Sequence, residues 1–348
     1  MGRRIVVAGA GAMGASIAYH LALLGAAEDV VLCDVGEIAS GATGKAMGGV
    51  RQQFSTAAEV RLAQASIGFF RELGATMFSP VGYLFVATTD DGHARLRERA
   101  ELQRALGVPV VDVDASEVRG LRTDDVVGAV ICREDGVASP PKVARELVRR
   151  AVERGVEVRE HVDAREIDCE LRVVACGWRS AELVPELPIR PLVRQLVDVG
   201  PVDDLPETLP MVVEEESTFH FRRRDACLRL AYREPTARWS SDEVVDETLV
   251  EDVRERLAHR YPAAAEAPVE RAWAGLYDMT PDAHPIIGPV GDGWYAAAGF
   301  SGHGFMQSPA VGHAVAEEVL GLEPSFDLTP YRPERFAGDE VFPEELVL

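Results

Sequence analysis

The sequence predicts an α/β chain, α+β overall, in which a nucleotide-binding sheet is joined to a second domain built on an antiparallel sheet packed with helices. Three observations carry this prediction. A glycine run, GAGAMG at 9–14, separates an apolar stretch from a helical pattern. The alternation of strand and helix patterns leaves that unit near residue 80 and re-enters it near 139. Strand-like segments cluster between 219 and 232 beside a charged helical stretch.

Residues 4–8, RIVVA, read as a short buried strand, the pattern through Leu24 as a helix, and VVLCD at 30–34 as a second strand. Within this strand–turn–helix–strand unit Gly9, Gly11 and Gly14 form GxGxxG. Gly9 permits a tight turn, Gly11 lets backbone approach a pyrophosphate, and Gly14 lets the helix pack on the strand. Ala12 and Met13 belong to the helix start that faces the anion. Asp34 follows about twenty residues on, where a carboxylate accepts hydrogen bonds from ribose hydroxyls. The alternative is a glycine turn used for packing alone. The unit reads as a Rossmann-type dinucleotide site and does not itself name the dinucleotide.

Further along, VGYLFVAT at 81–88 reads as a strand, 92–106 as a charged helix and VVGAVICRE at 126–134 as a strand. A helix over 140–154 is opened by proline in its first turn and closed by Gly155. GVEVREHV and LRVVACG (171–177) are strands, as are FHFRR and ACLRLAY within 219–232; a charged helix spans 242–259. GWYAAAG at 293–299 returns to strand, and MQSPAVGHAVAEEVL forms a terminal helix. Residues 200–210, rich in Pro and Asp, read as a surface loop. The expected division is 1–80, 139–195 and 275–348 for the nucleotide domain, with 81–138 and 196–274 for the substrate domain.

With 348 residues, 47% of them hydrophobic, the chain can bury a substantial core. A net charge of -21 argues against nucleic acid or an anionic membrane surface as partner, because both repel it. Lysine occurs only at Lys45 and Lys142, which reads either as adaptation to high salt, as in a halophile's acidic proteome, or as a GC-rich codon bias. Five scattered cysteines, with no CxxC and no histidine at metal spacing, predict free thiols and no metal site. Arg3 and Arg4 before an apolar stretch imitate a secretion signal, but the glycines and the Glu28–Asp29 pair interrupt it, so a cytoplasmic location with no membrane span is expected.

Several motifs in order (GAGAMG with Asp34, SGATGKAMGGVRQQF at 40–54, DGVASP at 135–140, VVACGW at 173–178, PIRPLVRQ at 188–195, LYDMTPDAHPIIGP at 276–289, GFSGHGF at 299–305, DLTPYRPERF at 327–336) resemble the D-amino-acid oxidase superfamily of FAD enzymes. The resemblance is greatest to its sarcosine oxidase, dimethylglycine dehydrogenase and dye-linked proline dehydrogenase branch and covers nearly the whole chain. It implies FAD as cofactor. Ser40 and Thr43 would contact its ADP part, Gly48 and Gly49 lie in the segment passing the flavin, and Gly177 belongs to VVACGW. Gly299, Ser301, Gly302, His303, Gly304, Phe305 and Met306 would cover the ring, where glycine, lacking Cβ, permits close approach.

The resemblance also implies site residues. Arg51 matches an arginine holding a substrate carboxylate, a task its planar pair of donors suits; a surface or phosphate-side ion pair is the alternative. His303 is read as a substrate contact or a structural histidine, and Tyr277 as a substrate neighbour or a core tyrosine. The start of the terminal helix would point its dipole at the flavin pyrimidine edge. Three departures matter. Gly275 replaces the cysteine that carries FAD in some relatives, so attachment there is excluded and FAD is expected to be non-covalent. Met306 replaces a carboxylate-binding lysine, and Arg229 stands where an oxygen-activating lysine is expected.

The implied reaction is oxidation of a C–N bond in a small amino acid, N-substituted or cyclic, by hydride transfer to flavin N5 with later hydrolysis of the imine. A dehydrogenase is favoured over an oxidase, with oxygen, a quinone or a partner protein as acceptor and an additional subunit possible. The alternatives are oxidation of a 2-hydroxy acid, and a flavin-binding subunit or assembly factor of a respiratory complex.

Overall fold

The computed structural model describes residues 4–337, 343–344 and 347–348. Two large sheets dominate it. The first has six strands in the order Ile286–Gly291, Trp294–Ala298, Leu171–Val174, Ile5–Ala8, Val30–Asp34, Glu157–Glu160. All its pairings are parallel except the hairpin at Ile286–Gly291. Helices Ala12–Leu23, Pro140–Val152 and Gly304–Val319 share one apolar core on this sheet. Strands buried on both faces read as continuous apolar runs, which is why IVVA and VVLC were visible in the sequence.

The second sheet has eight strands in the order Val269–Met279, Arg190–Val199, Cys227–Ala231, His220–Arg224, Met211–Glu214, Tyr83–Ala87, Gly128–Cys132, Val110–Asp112. Only the pairing of Met211–Glu214 with Tyr83–Ala87 is parallel. One face packs on helix Glu247–Arg260: Leu84, Val212, Phe221, Leu230 and Val197 share a core with Val250, Val253 and Leu257. Because side chains alternate along a strand, Tyr83, Met211, His220, Ala231 and Leu196 turn to the opposite face. That face is a wall of the large cavity described below.

Several expectations are revised. The borders expected at 195/196 and 274/275 fall inside the continuous strands Arg190–Val199 and Val269–Met279, which pair along almost their whole lengths. The helix expected at 242–259 starts at Glu247, because Asp246 caps it by accepting from Thr248 N at 3.0 Å. Helix Ala57–Glu72, capped by Thr56, had not been read from the sequence. Residues 200–210 carry no helix or strand, yet bury Val202 and Leu209. No helix among the described residues is long and apolar enough to cross a membrane, and no cluster among them could hold a metal ion.

Candidate active site

A cavity of about 780 Å³ runs from the glycine turn of the first sheet to the inner face of the second, within the range typical of ligand sites. At its nucleotide end Gly9 has φ +100°, and a Cβ there would lie 2.4 Å from the Ala175 carbonyl oxygen. A Cβ on Gly14 would lie 1.8 Å from the Gly9 oxygen, so the helix sits as close to its strand as backbone allows. Asp34 braces the turn: Oδ2 accepts from Ala10 N at 2.7 Å and Oδ1 from Gly36 N at 2.8 Å. Thr43 accepts from Ala12 N at 2.9 Å, tying segment 40–45 to the helix start. Trp178 and Arg179 also line this end.

A second helix start opens on the same cavity. Helix Gly304–Val319 follows GFSGH, with no acidic residue in its first turn and no side-chain cap, and the same holds for helix Ala12–Leu23. Two uncapped N-termini facing one cavity fit a ligand with anionic or electron-rich groups at both ends, as an extended dinucleotide has. The loop before the second helix is fixed by Asp278, whose Oδ2 accepts from Gly299 N at 2.9 Å and Phe300 N at 3.0 Å. Burial pushes this carboxyl up to about 6, against the pull of those N–H groups. Gly302 packs so closely on Tyr277 that a Cβ would lie 2.4 Å from its ring.

At the substrate end Arg51 is only 1% exposed. Its guanidinium lies 4.0 Å from the Phe54 ring centroid, and its Nη1 donates to the Gln53 carbonyl. The His303 ring stands edge-on to Phe54, 5.1 Å between centroids. Phe54 thus brings Arg51 and His303, far apart in sequence, to one place. The turn carrying Arg51 is held by Asp135, fully buried, which accepts from Gln52 N (3.0 Å), Gln52 Nε2 (2.9 Å) and Gln53 Nε2 (3.2 Å). Burial raises the Asp135 carboxyl to about 6 and lowers the Arg51 guanidinium.

Of the residues singled out from the sequence, Arg51, Tyr277, His303, Gly9, Gly11, Ala12, Met13, Asp34, Ser40, Thr43, Gly48, Gly49, Gly177, Gly302, Gly304, Phe305 and Met306 line the cavity. Gly14, Gly299 and Ser301 stand behind the wall and shape it: Ser301 Oγ accepts from Thr280 N at 3.2 Å. Arg229 is a correction. It lies beyond the wall, held by Asp198 through Nε and Nη2 at 2.8 and 2.9 Å and stacked on Trp273. The physical reason is register: Arg229 pairs with Asp198 on the neighbouring strand, two residues further out than the wall residue Ala231.

A lysine does reach the cavity, but from elsewhere. Lys45 lines it, paired with Glu243, and the stem of Lys45 would meet a Cβ on Gly275 at 3.3 Å. Sequence reasoning had also passed over Arg194, His220 and Tyr83. Arg194 Nη1 donates to Glu234 at 2.7 Å and its guanidinium stands 5.5 Å from the Tyr277 ring. A polar residue at alternate positions of an apolar strand, as in PLVRQL and TFHF, was the available signal.

Comparison with known proteins identifies the family. A protein 28% identical is FAD-dependent oxidoreductase domain-containing protein 1 of Bos taurus, matched over 99% of this chain and 87% of that protein. Glycine oxidase of Pseudomonas putida is 25% identical over 97% of this chain and 100% of its own. Among solved structures, L-proline dehydrogenase from P. horikoshii superposes with a TM-score of 0.88 at 26% identity, covering 96% of this chain and 98% of that one. The family model for FAD dependent oxidoreductases (DAO) matches residues 4–318, and with the two-sheet fold and the glycine cradle it places the chain in that FAD-dependent family.

Proposed function

We propose that this protein oxidises the C–N bond of a small amino acid, N-substituted or cyclic, whose carboxylate is held by Arg51. The observation that carries the reading is a buried guanidinium at the wall of a cavity that continues into a dinucleotide cradle. The Arg51 guanidinium lies on the Phe54 ring and borders the same cavity as Tyr83, and a planar pair of donors suits a carboxylate. The relatives named glycine oxidase and L-proline dehydrogenase support an amino acid as substrate.

FAD held by Gly9, Gly11, Ala12, Asp34, Thr43 and loop 299–306 would supply two-electron acceptance. The chain's own residues do the rest by positioning. Arg51 orients the carboxylate, and Arg194, held by Glu234, lines the same cavity. Tyr277 and His303 border the same space and limit how the substrate can turn. Asp278 and Asp135 fix the two loops that carry these groups. A dehydrogenase is favoured over an oxidase: a nearby cation would stabilise charge developing on oxygen, but Lys45 is engaged by Glu243 and Arg229 by Asp198.

The test is the visible spectrum of the FAD-loaded protein, without oxygen, on adding glycine, sarcosine, dimethylglycine, proline and D-amino acids. Bleaching by one of them is expected, and slow recovery in air would support the dehydrogenase. Bleaching by 2-hydroxy acids alone would overturn the C–N reading. A yellow protein reduced by none of these would favour a flavin-binding subunit instead.

A further inference from the structure

We propose that His220 accepts the proton that the substrate ammonium must lose before its C–N bond can be oxidised, so that the imidazole Nε2 works opposite the carboxylate anchor Arg51. The inference rests on the amino-acid reading above. It answers a gap in that reading: an amino acid reaches the cavity as a zwitterion, and only a neutral nitrogen has the lone pair that can push hydride from carbon.

The geometry fixes what this imidazole can do. His220 lies in strand His220–Arg224, on the face that forms the cavity wall, opposite Ala231 on one neighbour and Val213 on the other. Its Nδ1 stands 2.8 Å from the Thr218 carbonyl oxygen. A carbonyl only accepts, so Nδ1 carries the hydrogen and, in the neutral ring, Nε2 carries the lone pair. Among the described residues nothing hydrogen-bonds Nε2, and the ring lines the cavity, so that lone pair is the edge offered to a ligand. The side chain is 4% exposed, so it answers to the cavity and not to bulk water.

The charges around it keep the ring neutral until substrate arrives. Burial first, then the positive Arg51 and Arg194, hold the imidazole down at about 4. Among the described residues, the other titratable groups lining this end of the cavity are Tyr83, Tyr232, Tyr277, Asp278 and His303, with Glu234 behind Arg194 and Leu348 accepting from the Tyr277 hydroxyl. A substrate carboxylate on Arg51 offsets the arginine part of this depression, the smaller part, while burial still acts, so Nε2 is a stronger base in the filled site than in the empty one. In the step itself an N–H bond of the ammonium breaks, an N–H bond forms at Nε2, and the electron pair stays on the substrate nitrogen. No electrons are exchanged. A substrate whose nitrogen cannot carry a proton, such as a quaternary betaine, would gain nothing from this group.

The test uses the FAD-loaded protein and its His220→Phe and His220→Gln variants, with the amino acid that best bleaches the wild type. The limiting rate of anaerobic flavin reduction is followed from pH 6 to 10, alongside binding of methoxyacetate, a carboxylate without an amine. In both variants the rise of the rate with pH is expected to move at least one unit toward alkaline pH, with about tenfold slower reduction at pH 7 and methoxyacetate affinity unchanged. Either variant suffices if the other does not fold. An unchanged pH profile in a folded variant overturns the role of His220 while leaving the amino-acid reading intact. A fall in methoxyacetate affinity matching the fall in rate would make His220 a structural support and overturn the proposal. If no amino acid bleaches the wild type, the functional reading fails and the role of His220 with it.

Discussion

The two ends of the cavity are built from different materials. The nucleotide end is backbone: glycines at positive φ or in forbidden proximity to a neighbouring carbonyl, two helix starts, and one carboxylate that braces a turn. The substrate end is side chain: Arg51, Tyr83, Arg194, Met211, His220 and Tyr277 project from segments whose own backbones are occupied in strands and turns. Backbone recognition tolerates no added atom, whereas side-chain recognition tolerates exchange at the cost of specificity.

Gly14→Ala should break the first end outright, because the new methyl meets the Gly9 carbonyl oxygen at 1.8 Å and its carbon at 3.0 Å, and backbone cannot swing aside as a side chain can. We expect a destabilisation of about 1–3 kcal/mol or more and loss of bound FAD, read from the ratio of flavin to protein absorbance and from thermal melting. Retention of full flavin content would show that the backbone end is not as rigid as its contacts imply. Arg51→Met should do the converse. Flavin content and melting temperature should stay near wild type, while the substrate Kd rises by about two orders of magnitude or more, as for a charged group that loses its buried counter-ion. Stopped-flow reduction at increasing substrate concentration measures it.

The third prediction concerns the carboxyls that hold the loops between the two ends. Asp135, raised to about 6, is protonated in the native state where the unfolded chain has already ionised it. Between about pH 4 and 6 the native state therefore binds more protons, and this group's contribution to stability falls as pH rises through that window. In Asp135→Asn that slope is absent. Whatever the variant loses in hydrogen bonding, its stability relative to wild type should improve from pH 4 to 6.5, as denaturant melts at each pH would report. A constant difference would mean that the buried carboxyl stays ionised throughout. The smallest effect belongs to Gly177→Ala. This glycine lines the nucleotide end at φ +57°, but a Cβ would meet nothing within 4 Å. About 1–2 kcal/mol of backbone strain with flavin retained is expected, which separates glycines needed for conformation from those needed for space.

The same contrast explains what could be read from the residues. GAGAMG followed by an acid is a local pattern, and each glycine's reason lies within a few residues of chain, so the cradle was visible. Arg51 and His303 were reached only through resemblance, since their meeting around Phe54 joins residues some 250 positions apart in a way no local pattern encodes. Arg229 failed for the complementary reason. Its strand was recognised, but which neighbour it met depended on register with Arg190–Val199, and Asp198 waited there. Arg194 and His220 were hidden because both strands of their cross-strand environment had to be known before an inward polar residue could be told from an outward one. The border strands Arg190–Val199 and Val269–Met279 were divided in the sequence reading because motif boundaries, not pairing, had set the limits.

Register in the eight-stranded sheet has one more consequence. Tyr83 and Leu84, Met211 and Val212, His220 and Phe221, Leu230 and Ala231, Leu196 and Val197 are neighbours in the chain, yet one member of each pair lines the cavity and the other packs on helix Glu247–Arg260. Diet and durability are thus written on alternate letters of the same words. A lineage, or an engineer, can rewrite positions 83, 211, 231 and 196 to reshape the cavity while the intervening letters keep helix Glu247–Arg260 in place.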